Sequence, residues 1–208
     1  MKQTSAVLML GIVIGVCGCA TTGYHRASET RSVIINARAE TAKLHQQVEA
    51  TVNALQALTG SEPTALRPLY ENFSAAVSSF DTQASRLPGR ARVVQQSGDA
   101  YLKQWQKELG DYKGSEVRSV STDRHSAVSD SFRRVNEQFR SSADSLRPLV
   151  SDLKDLRRYL GTDLTAAGVN SARDLVGRVT SQVPNVQQNL QSLLAELDRA
   201  TDELAPMK

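Results

Sequence analysis

The chain has 208 residues, enough for one domain with a substantial core. Apolar residues make up 40% and aromatics only 5%, which suits long helices with narrow apolar seams better than a sheet protein. The formal charge is +3, but 25 basic residues are interspersed among 22 acidic ones, so the clustered basic surface that a nucleic-acid backbone requires is not expected.

Residues 1–18 read as a bacterial export signal. Lys2 supplies the positive start and "AVLMLGIVIGV" (6–16) the apolar run, which is too short to span a bilayer as a mature helix. The competing reading is a short buried N-terminal helix. The end of this segment resembles bacterial lipoprotein signals, which close on an aliphatic residue, a small one, Gly or Ala, and the Cys that receives lipid. Val16, Cys17, Gly18 and Cys19 fit that order with Cys19 as the lipid attachment residue. Cys17 then leaves with the leader, as does Lys2, which lowers the formal charge by one. The mature chain would keep one cysteine, already acylated, and so would have no disulfide or thiol chemistry. A C-x-C pair without nearby Cys or His is poor evidence for zinc.

The resemblance implies two or three acyl chains, enough for stable anchoring where one chain is marginal. Ala20 follows the cysteine, where an Asp would resemble an inner-membrane retention signal. The expected location is therefore the inner leaflet of the outer membrane, facing the periplasm. Residues 19–24 are expected to form a short tether, and residues 25–205 the folded domain.

Beyond the tether, a seven-residue repeat dominates. The first seam runs Ile34, Ala37, Thr41, Leu44, Val48, Thr51, Leu55, Leu58, alternating steps of three and four. "TGSEPT" (59–64) interrupts it, with Gly60 suited to a helix end and Pro63 to a first turn. The second seam runs from Leu66 through Tyr70, Phe73, Val77, Phe80, Ala84, Leu87, Ala91, Val94, Gly98, Tyr101 and Trp105. It slips near Glu108 and is expected to close on Tyr112. "YKGSE" (112–116) is the next turn. The third seam is clear from Val128 to Leu160, and after "LGTDLT" a fourth runs from Val169 to Leu204.

Three-four spacing sustained over several heptads indicates helices that pack with coiled-coil geometry. Short connectors place consecutive helices antiparallel. The expected fold is all-α: an elongated antiparallel bundle of three to four long coiled-coil helices. Pro88-Gly89, Pro148 and Pro184 fall inside the seams, where proline removes a donor and clashes one turn back. Kinks are expected at all three, and Pro88-Gly89 is the point where the helix is either broken or only kinked. The polar seam positions Thr41, Thr51, Gly98 and Ser142 either thin the core or set its register.

Two stretches carry a wider resemblance. "YLKQWQKELGDYKGSEVRS" (101–119) places a Trp-x-x-Glu-Leu-x-x-Tyr run before a turn and a basic helix start. "LRPLVSDLKDLRRYLGTDLTAAGVNS" (146–171) places a mid-helix Pro before an amphipathic run and a short break. Both resemble the bacterial helical proteins grouped as domain of unknown function 2959, over about residues 22–205. The resemblance implies an envelope location, helical coiled coils and an uninterrupted second helix, from which Pro88-Gly89 departs. It supplies no activity or catalytic residues.

Catalytic signals are lacking in the sequence. His25, His45 and His125 are scattered, and no H-E-x-x-H, G-x-S-x-G, Walker A or G-x-G-x-x-G motif occurs. Glu40, Glu49, Asp152 and Asp155 fall on ordinary helix surfaces, and paired acids for hydrolysis need a cleft that a rod with narrow seams does not offer. The chain is thus expected not to be an enzyme. No catalytic, metal or cofactor-binding residue is assigned, and no small-molecule substrate is evident. The expected partners are the membrane, through lipid on Cys19, and an envelope protein that binds one face of the bundle. A chaperone-like module that binds a ligand or client stands as the alternative.

Overall fold

The computed structural model describes residues 22–60 and 66–205. These residues form α1 (Gly23–Thr59), α2 (Leu66–Leu109), α3 (Ser115–Thr162), the short α4 (Ala166–Ser171) and α5 (Arg173–Glu203). The all-α bundle is therefore present, with four long helices and one short one. The signal segment, Cys17, Cys19 and Pro63 lie outside the described residues.

The seams explain why the helices associate. Every residue of the first seam is buried, as is every residue of the third from Val128 to Leu160. At 1.5 Å per residue, the 44 residues of α2 extend about 66 Å. Helices this long gain most of their stability by burying such a stripe.

The four long helices pack in a ring: α1 against α2 and α5, and α3 against α2 and α5. Cross-helix bonds show that each neighbouring pair is antiparallel. Arg26 near the start of α1 meets Glu108 at the end of α2, whereas Gln47 farther along meets the Ala76 carbonyl. His125 and Arg157 of α3 meet Leu102 and Tyr70 of α2, again in reversed order. The same reversal links Arg134 to Glu196 and Asp152 to Gln182, and Arg38 to Asp198 and Glu49 to Gln187. The chain runs up, down, up, down.

Several local expectations need correction. No break occurs at Pro88-Gly89: α2 is continuous through it, as the family resemblance implied. Pro148 and Pro184 likewise lie inside continuous helices. All three prolines are exposed. On the outer face, water can satisfy the carbonyl left without a donor, so the loss costs least there. Tyr112 does not close the second seam, since it is 36% exposed, whereas Leu109 beside the expected position is 5% exposed. Gly23 and Tyr24, assigned above to the tether, are the first residues of α1, behind the N-cap Thr22.

The fourth seam is buried from its expected start, Ala172 fully and Val169 and Val176 packed against the core, but two helices share it. Val169 belongs to α4, and Ala172 joins α4 to α5. Thr165 caps α4, its hydroxyl accepting from the Gly168 amide at 3.0 Å and donating to Asp163 at 2.7 Å. Gly168 is required by close approach, because a Cβ there would lie 2.3 Å from the Asp163 carbonyl oxygen.

The polar seam positions divide by function. Thr41 and Thr51 donate to carbonyls one turn back in their own helix, Ala37 at 2.8 Å and Gln47 at 2.7 Å, and Thr51 also lies 3.4 Å from the Ala76 carbonyl of α2. Ser142 instead crosses to the Asn189 carbonyl of α5 at 3.1 Å. Gly98 admits the Phe132 ring against the backbone of α2. Ser131 is also buried, and its hydroxyl has no hydrogen-bond partner. Ser131→Ala is therefore expected to stabilise the bundle by up to about 1 kcal/mol, since an unmatched buried hydroxyl is lost and helix propensity improves. Thermal denaturation checks this; a lowered midpoint would contradict it.

Candidate functional site

Antiparallel packing brings four pieces of chain to one end of the bundle: the start of α1, the α2–α3 connector, the start of α3 and the end of α5. Cys19 precedes the N-cap Thr22 by three residues. An extended chain of that length reaches about 10 Å at most. Thr22 anchors the first turn, its hydroxyl accepting from the His25 amide at 3.3 Å.

An aromatic group organises this end. Tyr101 and Trp105, one turn apart on α2, have ring centroids 5.6 Å apart, and the His125 ring of α3 stands edge-on to Trp105 at 5.5 Å. The Trp105 indole donates to the Ser121 hydroxyl at 3.0 Å. His125 Nε2 lies 3.2 Å from the Leu102 carbonyl, which can only accept, so that nitrogen carries the proton. Burial pushes the Tyr101 phenol up from its ordinary pKa, against the opposing effect of Arg124 and Arg26. A cavity of about 150 Å³ opens here, lined in part by Tyr24, Tyr101, Trp105, Arg124 and Leu204. Arg124 donates to the Glu203 carbonyl at its edge, and Arg26 pairs with Glu108 at 2.5 Å at the same end of the bundle.

α3 continues past the end of α5. Arg124 already meets Glu203, the last residue of α5, while α3 begins at Ser115. Val117 lies one heptad before Arg124, about 10 Å along the helix. Val117 and Val120 are 57% and 66% exposed, and with Trp105 they border an apolar groove. The sequence reading had no seam for residues 115–127. The available signal was the pair of valines three apart in "SEVRSVST".

A second groove, of about 710 Å³, lies between α1 and α2 near Pro88. Val33, Ala37, Val93 and Val94 line it, and Arg90, paired with Glu40, forms part of its wall. Gly89 faces this groove, with nothing within 4 Å of where a Cβ would be.

The three histidines are not brought together. His25 pairs with Glu29 at 3.2 Å on the surface of α1, His45 lies half-buried farther along that helix, and His125 belongs to the aromatic group. Glu40, Glu49, Asp152 and Asp155 are likewise separate, the first three bonded to Arg90, Gln187 and Gln182. Among the described residues, no group of three His, Cys, Asp or Glu could hold a metal ion. Nor is any described helix long and apolar enough to cross a membrane.

Comparison with curated proteins and with solved structures finds no match in either. A protein family does match, over residues 19–205, nearly the whole bundle and its approach. That span carries both stretches on which the resemblance rested, and the chain belongs to the family described as Protein of unknown function (DUF2959).

Proposed function

We propose that the protein is a lipid-anchored, non-enzymatic helical rod that serves as a structural or scaffolding element of the bacterial cell envelope. One observation carries this reading: a stretch that resembles lipoprotein signals, ending at Cys19, stands three residues before the N-cap of a four-helix bundle. The role is positional. Acyl chains on Cys19 hold the rod at the inner leaflet of the outer membrane, and its outer faces meet a partner protein in the periplasm.

Cys19→Ala is expected to move the protein from the membrane fraction to the soluble fraction, because it removes every acyl chain. Fractionation with immunoblotting reads the outcome. Unchanged membrane association would overturn the anchor.

The groove beside Pro88 favours a second reading, a periplasmic client-binding module. Photo-crosslinking in cells, from Val93 in the groove and from Arg140 on the exposed face of α3, separates the two. A scaffold gives one dominant adduct from the helix face, whereas a client binder gives many different adducts from Val93.

A further inference from the structure

Six large hydrophobic side chains are exposed among the described residues, and four of them gather at one end: Tyr24, Tyr112, Val117 and Val120. Val117 and Val120 continue the stripe of α3 that faces α5, and they do so beyond the last residue of α5. The aromatic members have the amphipathic form that settles at a headgroup interface, with an apolar body and a polar tip.

We infer that this end of the bundle is a membrane-contact face, on which Tyr24, Tyr112, Val117 and Val120 rest in the headgroup region of a phospholipid bilayer. The inference rests on the anchor proposed at Cys19. Its geometric basis is the length of chain before the bundle. Only Ala20 and Thr21 separate Cys19 from the N-cap, so acyl chains in the bilayer hold the start of α1 within about 10 Å of the lipid surface. A rod held that closely must present this end to lipid, and this is the end that carries the uncovered apolar side chains. Charges beside the valines are balanced, Lys113 and Arg118 against Asp111 and Glu116, so contact does not depend on anionic lipid. An acylated cysteine and a small apolar footprint together fix the direction of the rod, which acyl chains alone leave free.

The test uses the full lipidated chain with Val120→Cys carrying an NBD fluorophore, compared with Ser171→Cys labelled in the same way at the opposite end. Both are reconstituted into phosphatidylethanolamine–phosphatidylglycerol vesicles containing a lipid spin-labelled near the headgroup. The spin label is expected to quench the Val120 position several-fold more than the Ser171 position, with a blue-shifted emission at Val120 only. Val117→Asp in the Val120→Cys chain is expected to reduce the quenching while leaving flotation with the vesicles intact. Protein that floats but is quenched equally at both positions overturns the contact face and leaves the anchor standing. Emission at Val120 that shifts only as protein density rises assigns the face to a second copy and also overturns it. Protein that fails to float removes the anchor and the contact face together.

Discussion

Gly98→Ala is expected to destabilise the bundle by about 1–3 kcal/mol, the usual range for overpacking a well-filled core. The sign is the informative part, because Ala is favoured over Gly in a helix by about 1 kcal/mol. Packing must overcome that preference. The Phe132 ring lies against the α2 backbone at Gly98, and a Cβ there would sit 2.6 Å from Cδ1 and 2.7 Å from Cε1. Such distances require a shift of the ring or of α3. Two controls sit in the same protein. Gly89 and Gly177 are exposed and helical, with no atom within 4 Å of the added carbon, so Ala at either is expected to stabilise by about 0.5–1 kcal/mol. Phe132→Leu should rescue part of the loss in the Gly98→Ala background, and urea denaturation of the double-mutant cycle measures that coupling. A stabilised Gly98→Ala protein would contradict the close contact between α2 and α3.

Phe80→Ala should cost more, about 3–5 kcal/mol, as is typical for a large aromatic removed from a core. Its side chain is fully buried in the first half of α2. A bundle built on narrow seams has few residues with which to fill the space. Whole domains are stable by about 5–15 kcal/mol, so this single change would remove a large part of the total. Chemical denaturation gives the value directly. A loss below about 1 kcal/mol would mean that neighbouring helices collapse into the cavity, which bonds such as that of Asp81, the adjacent residue, to Lys154 at 3.0 Å oppose.

Much of this fold was legible because one physical rule repeats. Three-four spacing places each apolar residue on a helical stripe, and the short connectors leave antiparallel packing as the available solution. Whether Pro88 breaks α2 was not legible, because the cost of a helical proline depends on which face it occupies. Exposure of that face follows from the packing of α2 between α1 and α3, and a local pattern does not contain it. Tyr112 and Leu109 were exchanged for a related reason, since a seam that slips by one position near a helix end can be continued in two ways. α4 went unseen because its turn depends on Thr165, Asp163 and Gly168 meeting in space.

The candidate site was legible only in part. The proposal for Cys19 rests on the order of four residues outside the described structure. The face at Val117 and Val120 could not be read from the sequence, because its exposure comes from α5 ending while α3 continues. Sequence periodicity shows which side of a helix is apolar, but not whether another helix is long enough to cover it.

The number of long helices has a consequence for reach. Four passes along the rod are an even number, so the last described residues return beside Trp105, on the same side as the start of α1. In the anchored protein proposed above, α4 at the opposite tip stands about 60 Å from the lipid. The bundle is then a ruler whose length is set by its heptads. Removing one heptad from each long helix at the same level would shorten it by about 10 Å while keeping both termini in place. A partner that depends on distance from the membrane would detect that change, while one that recognises only a helix face would not.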